Sequence, residues 1–383
     1  MKIIIIGNGV AGISSAEAIR SKDKNSEIVI YSDEKYLHYS RPRVIEYLSG
    51  KVEVSRIIIR KEEFYKQNNI TLLLNTKVVK IDPQNKKIIL SNGKEDNFDK
   101  LIIAAGAYSF LPPIPGADIT GVFTLRTIDD ADKIISYSRN KKTAAVIGGG
   151  LLGIEAAMSL KVLGLDVTII EVFDRLLPRQ LDKDAAIILQ SMLEAKGLKF
   201  LLPKQTTTIE KINNNLKINF KDNTCLESDV ILFSAGIRCN LKILEGSNIE
   251  ADKGIKVNDY LQTNFQDIYA AGDIAEYKGI VYGIWPAAKE QGSIAGLNAI
   301  GEKIEYKGSI ISTKLKVVGI ELASIGSIEH GEGIEIQTKQ DKEVFKRLFI
   351  KDNKLIGAIL LGDTSQYQKL QDIMKTNQDI SEL

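Results

Sequence analysis

Gly7-Asn8-Gly9-Val10-Ala11-Gly12 follows the apolar run Lys2–Ile6, and Gly148-Gly149-Gly150-Leu151-Leu152-Gly153 follows Thr143–Ile147. Each is a G-x-G-x-x-G fingerprint set between a strand-like run and a helix-like one (13–20 and 154–163), the context that gives the motif a mechanism. The first glycine makes the tight turn, the second lets backbone approach a pyrophosphate, and the third lets helix pack on strand. The phosphates then meet the positive N-terminus of the helix. Two such sites predict two bound dinucleotides, and two dinucleotides in one chain predict electron transfer between them. The flanking stretches also align, IIIIGNGVAGISSAEAI with AAVIGGGLLGIEAAMSL, as a duplicated nucleotide-binding unit would.

The rest of the composition fits an enzyme with several domains. A chain of 383 residues with 44% hydrophobic and 26% charged residues can build two or three proper cores. A net charge of +2 with no long basic run gives no sign of nucleic acid. The longest apolar stretches, such as Lys2–Ile6 and Val230–Phe233, are strand-sized and far too short to span a membrane. Met1 runs straight into the first strand, which predicts no signal peptide and a cytoplasmic protein. Cys225 and Cys239 are the only cysteines and have no metal-ligand spacing, so reduced thiols are expected. His38 and His330 are the only imidazoles, and no metal site is predicted.

Each fingerprint is completed by an acid about 20 residues on, which commonly binds a ribose hydroxyl pair. In the second copy, Asp166-Val-Thr-Ile-Ile-Glu171 ends a strand at Glu171. That carboxylate would accept from an adenosine 2′-OH and repel a 2′-phosphate, with Arg175 and Arg179 nearby to temper the exclusion. In the first copy the strand ends in Ser32, and either Asp33 or Glu34 could serve.

Thr263-Asn-Phe-Gln-Asp-Ile-Tyr-Ala-Ala-Gly-Asp273 reads as strand, tight turn and aspartate at the next helix start. It resembles the FAD-contacting segment of the pyridine nucleotide-disulfide oxidoreductase superfamily, in which the final Asp binds the ribityl chain. Leu101-Ile-Ile-Ala-Ala-Gly106 and Asp229-Val-Ile-Leu-Phe-Ser-Ala-Gly236 resemble its crossover segments. The resemblance implies FAD at the first fingerprint and NADH at the second. The implied fold class is α/β, two Rossmann-like dinucleotide-binding domains with a small α+β C-terminal domain. Its expected boundaries are an FAD-binding domain at 1–111 and 242–305, an NAD-binding domain at 112–241, and a C-terminal interface-type domain at 306–383. The breaker cluster Pro112-Pro113-Ile-Pro115-Gly116 marks the first crossing. A helix is expected near 129–139, strand-like runs at 314–318, 344–350 and 355–361, and a helix at 365–375. The C-terminal domain is expected to cover the flavin region.

Disulfide and peroxide reductases of this superfamily place a redox-active cysteine shortly after the first ribose acid. Tyr36-Leu-His-Tyr-Ser-Arg-Pro-Arg43 lies there instead, and no cysteine precedes Cys225. This segment resembles that of NADH:rubredoxin oxidoreductases, dioxygenase-type ferredoxin reductases and the reductase module of NADH nitrite reductases. In that group the Arg-Pro pair lies against FAD, which corresponds to Arg41 and Pro42. Leu125-Arg126-Thr127 and Ala287-Ala288-Lys289-Glu290-Gln291 look most like the rubredoxin reductases. Ferredoxin reductases carry a lysine a few residues after Arg-Pro, near flavin N5; Glu46 stands here, which moves the reading away from them.

Glu155 and Trp285 are the candidate catalytic residues. Relatives place the glutamate corresponding to Glu155 where nicotinamide meets the flavin, although a carboxylate is also favoured at any helix N-terminus. Trp285, the only tryptophan, precedes Pro286 at a helix start, and ferredoxin reductases use a tryptophan there beside the flavin at the acceptor surface. Core packing is its alternative. His38 is expected to be a solvated loop histidine. The candidate cofactor-binding set is Gly7, Gly9, Val10, Ala11, Gly12, Asp33, Glu34, Arg41, Pro42, Val78, Ala105, Gly106, Arg126, Gly148, Gly150, Leu152, Gly153, Glu155, Glu171, Gly236, Gly272 and Asp273.

The resulting expectation is an enzyme that passes electrons from NADH through FAD, without a redox-active cysteine, to a small carrier such as rubredoxin. A stand-alone flavin module serving a separate nitrite reductase, an NADH oxidase and an NADH-responsive sensor are the alternatives. The chain is expected to act as a monomer or homodimer.

Overall fold

The computed structural model describes all residues except 214, 318, 330, 342, 343, 377 and 381–383. Its contacts divide into two units. One comprises Met1–Arg43, Glu53–Tyr108 and Ile237–Ser309, the other Val44–Val52, Ser109–Gly236 and Ile310–Leu383.

The first unit is built on a five-stranded parallel sheet, in the order Ile268–Ala270, Lys100–Ile103, Lys2–Ile6, Glu27–Tyr31, Ile70–Leu73. A parallel strand covered on both faces must be apolar throughout rather than alternating. Ile3, Ile4 and Ile5 are accordingly all fully buried. The glycine-bearing strand is central, and Gly7 extends its ladder by donating to Tyr31 O at 2.8 Å. An antiparallel sheet of Val78–Asp82, Lys87–Leu90 and Glu95–Asn97 is attached.

The second unit repeats this plan. Its parallel sheet runs Lys199–Leu201, Asp166–Ile170, Thr143–Ile147, Val230–Phe233, Val122–Thr124, again with the glycine-bearing strand in the centre. Gly148 donates to Ile170 O at 2.8 Å, as Gly7 does to Tyr31. Its antiparallel sheet is Thr206–Ile212, Asn215–Phe220 and Cys225–Ser228. The duplication read from the two glycine stretches therefore extends to whole sheets.

The helix after each fingerprint starts inside it, at Val10–Lys22 and Leu151–Val162, earlier than the apolar pattern alone places it. Thr127 and Asp130 form a reciprocal capping box that opens the helix Ile128–Ser138. In the first unit the helix Trp285–Ala299 lies against Val10–Lys22 at backbone distance. A Cβ at Gly292 would stand 2.2 Å from Ala11 O, and Ser15 Oγ donates to Gly292 O at 2.8 Å.

The C-terminal part of the second unit is an antiparallel sheet in the order Ser312–Val317, Ile320–Gly326, Lys354–Leu361, Val344–Lys351, Ile334–Asp341. Helix Tyr367–Thr376 covers it through Leu370 and Ile373, which pack on Ala323, Leu348 and Leu360. Two strands, Ile320–Gly326 and Ile334–Asp341, go beyond the sequence expectation. Val318 and His330 lie outside the described residues. Among the described residues no helix is long and apolar enough to cross a membrane.

Candidate functional site

The three glycines of each fingerprint have separable physical reasons. Gly7 and Gly148 have φ of +112° and +121°, in the region that favours glycine. A Cβ at Gly12 would lie 1.9 Å from Gly7 O, and one at Gly153 would lie 2.0 Å from Gly148 O, so both allow helix and strand to meet. Gly9 and Gly150 differ from these. Their backbones are extended, with φ −78° at both, and a Cβ there would meet nothing within 4 Å. Neither conformation nor protein packing requires glycine at these two positions. What remains is open space in front of a helix N-terminus. Both are N-caps with no side-chain cap, leaving the first backbone N–H groups of each helix for an anion. Two anion-receiving cradles of one design follow from that geometry.

Around the first cradle, Asn8 turns its side chain inward. Its Oδ1 accepts from Tyr65 Oη at 3.0 Å, while its buried Nδ2 has no partner among the described residues. A buried amide left unsatisfied is costly in an empty protein and fits a ligand that supplies an acceptor. Asn8 O binds His38 Nδ1 at 3.0 Å, and Tyr65 Oη accepts from His38 N at 3.3 Å. His38 is therefore not solvated, contrary to expectation, but 3% exposed. Burial pushes its pKa down to about 4, against the opposing hydrogen bond to Asn8 O, so the ring is neutral near pH 7. It stacks on Trp285, with centroids 5.9 Å apart and planes 24° from parallel. Sequence reading missed Asn8 and Tyr65. Asn8 was in view as the variable position of the fingerprint, but nothing local signals the tyrosine.

Of the two candidate ribose acids, Asp33 is exposed and Glu34 half-buried. Glu34 Oε1 accepts from Arg41 Nη2 at 2.6 Å, and its Oε2 accepts from Tyr39 Oη at 2.6 Å. Arg41 and Glu34 thus form one ion pair beside the strand end, while Pro42 is exposed in the turn Arg41–Arg43. Gly272, with φ +81°, packs against Ala11, and its N–H donates to Gln291 Oε1 at 2.9 Å. This brings Asp273 into the same unit as the first fingerprint. Val10 is partly buried and Val78 fully so. Asn240 Nδ2 donates to Ala105 O at 2.7 Å beside Gly106, whose φ is +64°.

The second cradle gathers Gly148, Gly150, Gly153, Glu155 and Glu171 within the second unit. Glu171 is 7% exposed and turned back to the glycine loop. Its Oε2 accepts from Gly149 N at 2.6 Å, and its Oε1 accepts from Phe173 N at 3.0 Å. The carboxylate stands where the second strand ends, its remaining lone pairs available to a ribose hydroxyl. Leu152 is exposed, Gly236 is exposed with φ +92°, and Arg126 precedes the capping box, its N–H donating to Asp130 Oδ2 at 3.1 Å.

Glu155 follows the third glycine on the helix Leu151–Val162. Burial first, and then the neighbouring Glu46 carboxylate, push its pKa up to about 7. Glu46 belongs to the short helix Val44–Leu48, which is tied to Leu151–Val162 by Ser159 Oγ donating to Ile45 O at 3.1 Å. Glu155 can therefore hold or release a proton near neutrality.

A family model described as pyridine nucleotide-disulphide oxidoreductase matches residues 1–292, and one described as rubredoxin NAD+ reductase C-terminal domain matches 312–378. A nitrite reductase [NAD(P)H] of Bacillus subtilis is 39% identical over 100% of this chain, which spans 48% of that protein. The chain therefore covers about half of that curated relative. An NADH-rubredoxin oxidoreductase of Clostridium acetobutylicum is 35% identical, with 100% of this chain and 97% of that protein covered. The crystal structure of NADH:rubredoxin oxidoreductase from Clostridium acetobutylicum superimposes with a TM-score of 0.84 at 34% identity, covering 99% of this chain and 96% of that one.

Proposed function

The chain belongs to the pyridine nucleotide-disulphide oxidoreductase family as an NADH-dependent oxidoreductase that uses FAD, and from that premise we propose that it passes electrons from NADH through FAD to a small one-electron carrier of the rubredoxin type. The observation that carries this reading is a pair of glycine cradles, each opening on a helix N-terminus, in a chain with no cysteine before Cys225. Electrons from the first cradle then have no thiol at the position disulfide reductases use. Cys239 does not substitute for one. Burial, then the Asp273 carboxylate, push its pKa up to about 11, and its S–H donates to Asp273 O at 3.0 Å. A protonated thiol is a poor nucleophile.

FAD, when bound, supplies the conversion between a two-electron donor and one-electron steps. The protein supplies binding and orientation. The helix N-termini at Gly9 and Gly150 receive the pyrophosphates, and Glu171 holds the adenosine ribose of NADH. Arg41, paired with Glu34, and Asp273 hold FAD. Glu155 orients the nicotinamide end and holds a proton near neutral pH. Trp285, backed by His38, faces the carrier. The setting is cytoplasmic, where thiols stay reduced, and both cysteines are free.

A second reading is favoured by the 39% identity to one half of a nitrite reductase. On that reading the chain is the flavin module serving a separate reductase. NADH oxidation assays, run anaerobically with purified rubredoxin, ferredoxin or a nitrite reductase and aerobically with oxygen alone, decide the acceptor. Rubredoxin is expected to give the highest kcat/KM. Preference for the nitrite reductase selects the second reading, and preference for oxygen makes the protein an oxidase. Reduction by NADH without fast reoxidation by any of the four makes it a sensor.

A further inference from the structure

Arg347 stands on the strand Val344–Lys351, in register opposite Thr338, whose hydroxyl accepts from its Nε at 2.9 Å. Its guanidinium crosses to a different part of the same unit. Nη1 donates to Asp182 Oδ2 at 2.5 Å and Nη2 to Asp184 Oδ2 at 3.0 Å. The Arg347 and Asp182 side chains are only 13% and 8% exposed, so solvent screens this pair far less than a surface ion pair. Asp182 has another task. Its Oδ1 accepts from Ala185 N at 3.0 Å and caps the helix Lys183–Ala195.

Asp182 also ends the segment that begins at Glu171, and hydrogen bonds run along it. Gly149 N donates to Glu171 Oε2 at 2.6 Å, and Leu177 N donates back to Gly149 O at 3.1 Å. Gln180 N and Leu181 N both donate to Leu177 O at 2.9 Å. Leu176, Leu177 and Leu181 are fully buried beneath. Asp182 follows directly and meets Arg347. A continuous set of contacts thus leads from the glycine loop of the second cradle to a side chain of the C-terminal sheet. Along the same contact lies a crevice of about 800 Å³, lined by Arg175, Arg179, Asp184, Ile328, Glu329 and Arg347. With that space open, close packing does not replace the ion pairs, and the segment has room to relax if they are lost.

We propose that Arg347 is a positioning residue for the nicotinamide dinucleotide: by holding Asp182 and Asp184 it fixes the far end of the segment whose near end is Glu171, and so sets how tightly the adenosine half is bound. This rests on the reading that the nucleotide occupies Gly148–Gly153 and Glu171. The C-terminal sheet thereby takes part in nucleotide binding without touching the nucleotide.

The test titrates the FAD-loaded full chain with NAD+, which binds without reducing it, and follows hydrogen exchange over 172–182. Arg347→Met keeps the apolar stem and loses both ion pairs. Asp182→Asn keeps a good cap and loses the charge. Both should weaken NAD+ binding about fivefold, the scale of coupling through such a network. Exchange over 172–182 should quicken, and the KM for NADH should rise with kcat unchanged. Arg347→Lys, which retains the charge, should recover much of the loss. Wild-type affinity and exchange in a folded Arg347→Met overturn the proposal and leave the NADH reading standing. If Arg347→Met does not fold, wild-type affinity in both Asp182→Asn and Asp184→Asn overturns it. Absence of NAD+ binding by the wild-type protein overturns the NADH reading and this proposal with it.

Discussion

Glu171 Oε2 accepts a 2.6 Å hydrogen bond from Gly149 N, so the acid at the end of one strand is fastened to the glycine loop at the end of the next. A Cβ at Gly149 would come within 3.2 Å of that same oxygen and 2.7 Å of Leu176, which explains a third consecutive glycine here where the first fingerprint has Asn8. The acid is therefore held in place by the loop itself, and on the proposed reading its charge opposes a 2′-phosphate.

NADH should accordingly be the better donor. Glu171→Gln keeps an acceptor for Gly149 N but removes the charge, and should narrow the NADH:NADPH ratio of kcat/KM about tenfold, on the order of 1.4 kcal/mol. Equal wild-type kcat/KM for the two nucleotides would show that Arg175 and Arg179 govern the choice.

Alanine scanning of the glycines should separate ligand-facing from structural positions. Gly9→Ala and Gly150→Ala meet open space and extended backbone, so the Tm should stay near wild type while FAD or NADH binding weakens. Gly12→Ala and Gly153→Ala drive a Cβ into a backbone carbonyl and should destabilise strongly, by more than about 2 kcal/mol. Thermal melts with flavin quantification distinguish the two classes. Full cofactor retention in Gly9→Ala and Gly150→Ala would mean that neither cradle holds a pyrophosphate.

Much of this was legible in the sequence, for a physical reason. Parallel strands buried on both faces are apolar at every position, so Lys2–Ile6 and Thr143–Ile147 read directly. The helices began earlier than expected because the glycine loop itself forms their first turn. His38 was misread as solvated because it lies in a loop outside any helix or strand, whereas its burial comes from Asn8, Tyr65 and Trp285, all remote in sequence. The strand Ile334–Asp341 escaped notice because it is an edge strand whose residues are almost all exposed, so its apolar alternation is confined to Ile334 and Ile336. The link from Asp182 to Arg347 has no sequence signature at all.

Glu155 should leave a mark on stability. Its carboxyl binds a proton more tightly in the folded state, at about 7 against an ordinary 4.5, so its contribution favours folding at low pH and is lost as pH rises through about 7. Glu155→Gln should therefore raise the Tm relative to wild type at pH 8 and change it little at pH 5. Wild-type and variant Tm curves that stay parallel across that range would show that the carboxyl is not buried beside Glu46 as described.

His38 and Trp285 should act together. If Trp285 lies on the exit route, Trp285→Ala slows flavin reoxidation by the carrier far more than flavin reduction by NADH, and His38→Asn, which removes the stacked ring, gives a weaker version of the same split. Because His38 is held at about 4 against 6.5 when unfolded, its contribution to stability is present above 6.5 and lost as pH falls toward 4. His38→Asn should flatten the Tm profile in that window. Equal slowing of both half-reactions in Trp285→Ala would make the tryptophan a packing residue.

The most direct test of the central claim is anaerobic stopped-flow spectroscopy of the wild type beside the Cys225→Ser, Cys239→Ser double variant. Flavin absorbance is followed on mixing with NADH, and then on mixing the reduced protein with oxidised rubredoxin. Fast bleaching and fast recovery, with nearly the same rates in both proteins, are predicted for electrons that leave without a thiol. Loss of recovery in a folded, FAD-loaded double variant, or no flavin bleaching by NADH in the wild type, would contradict it.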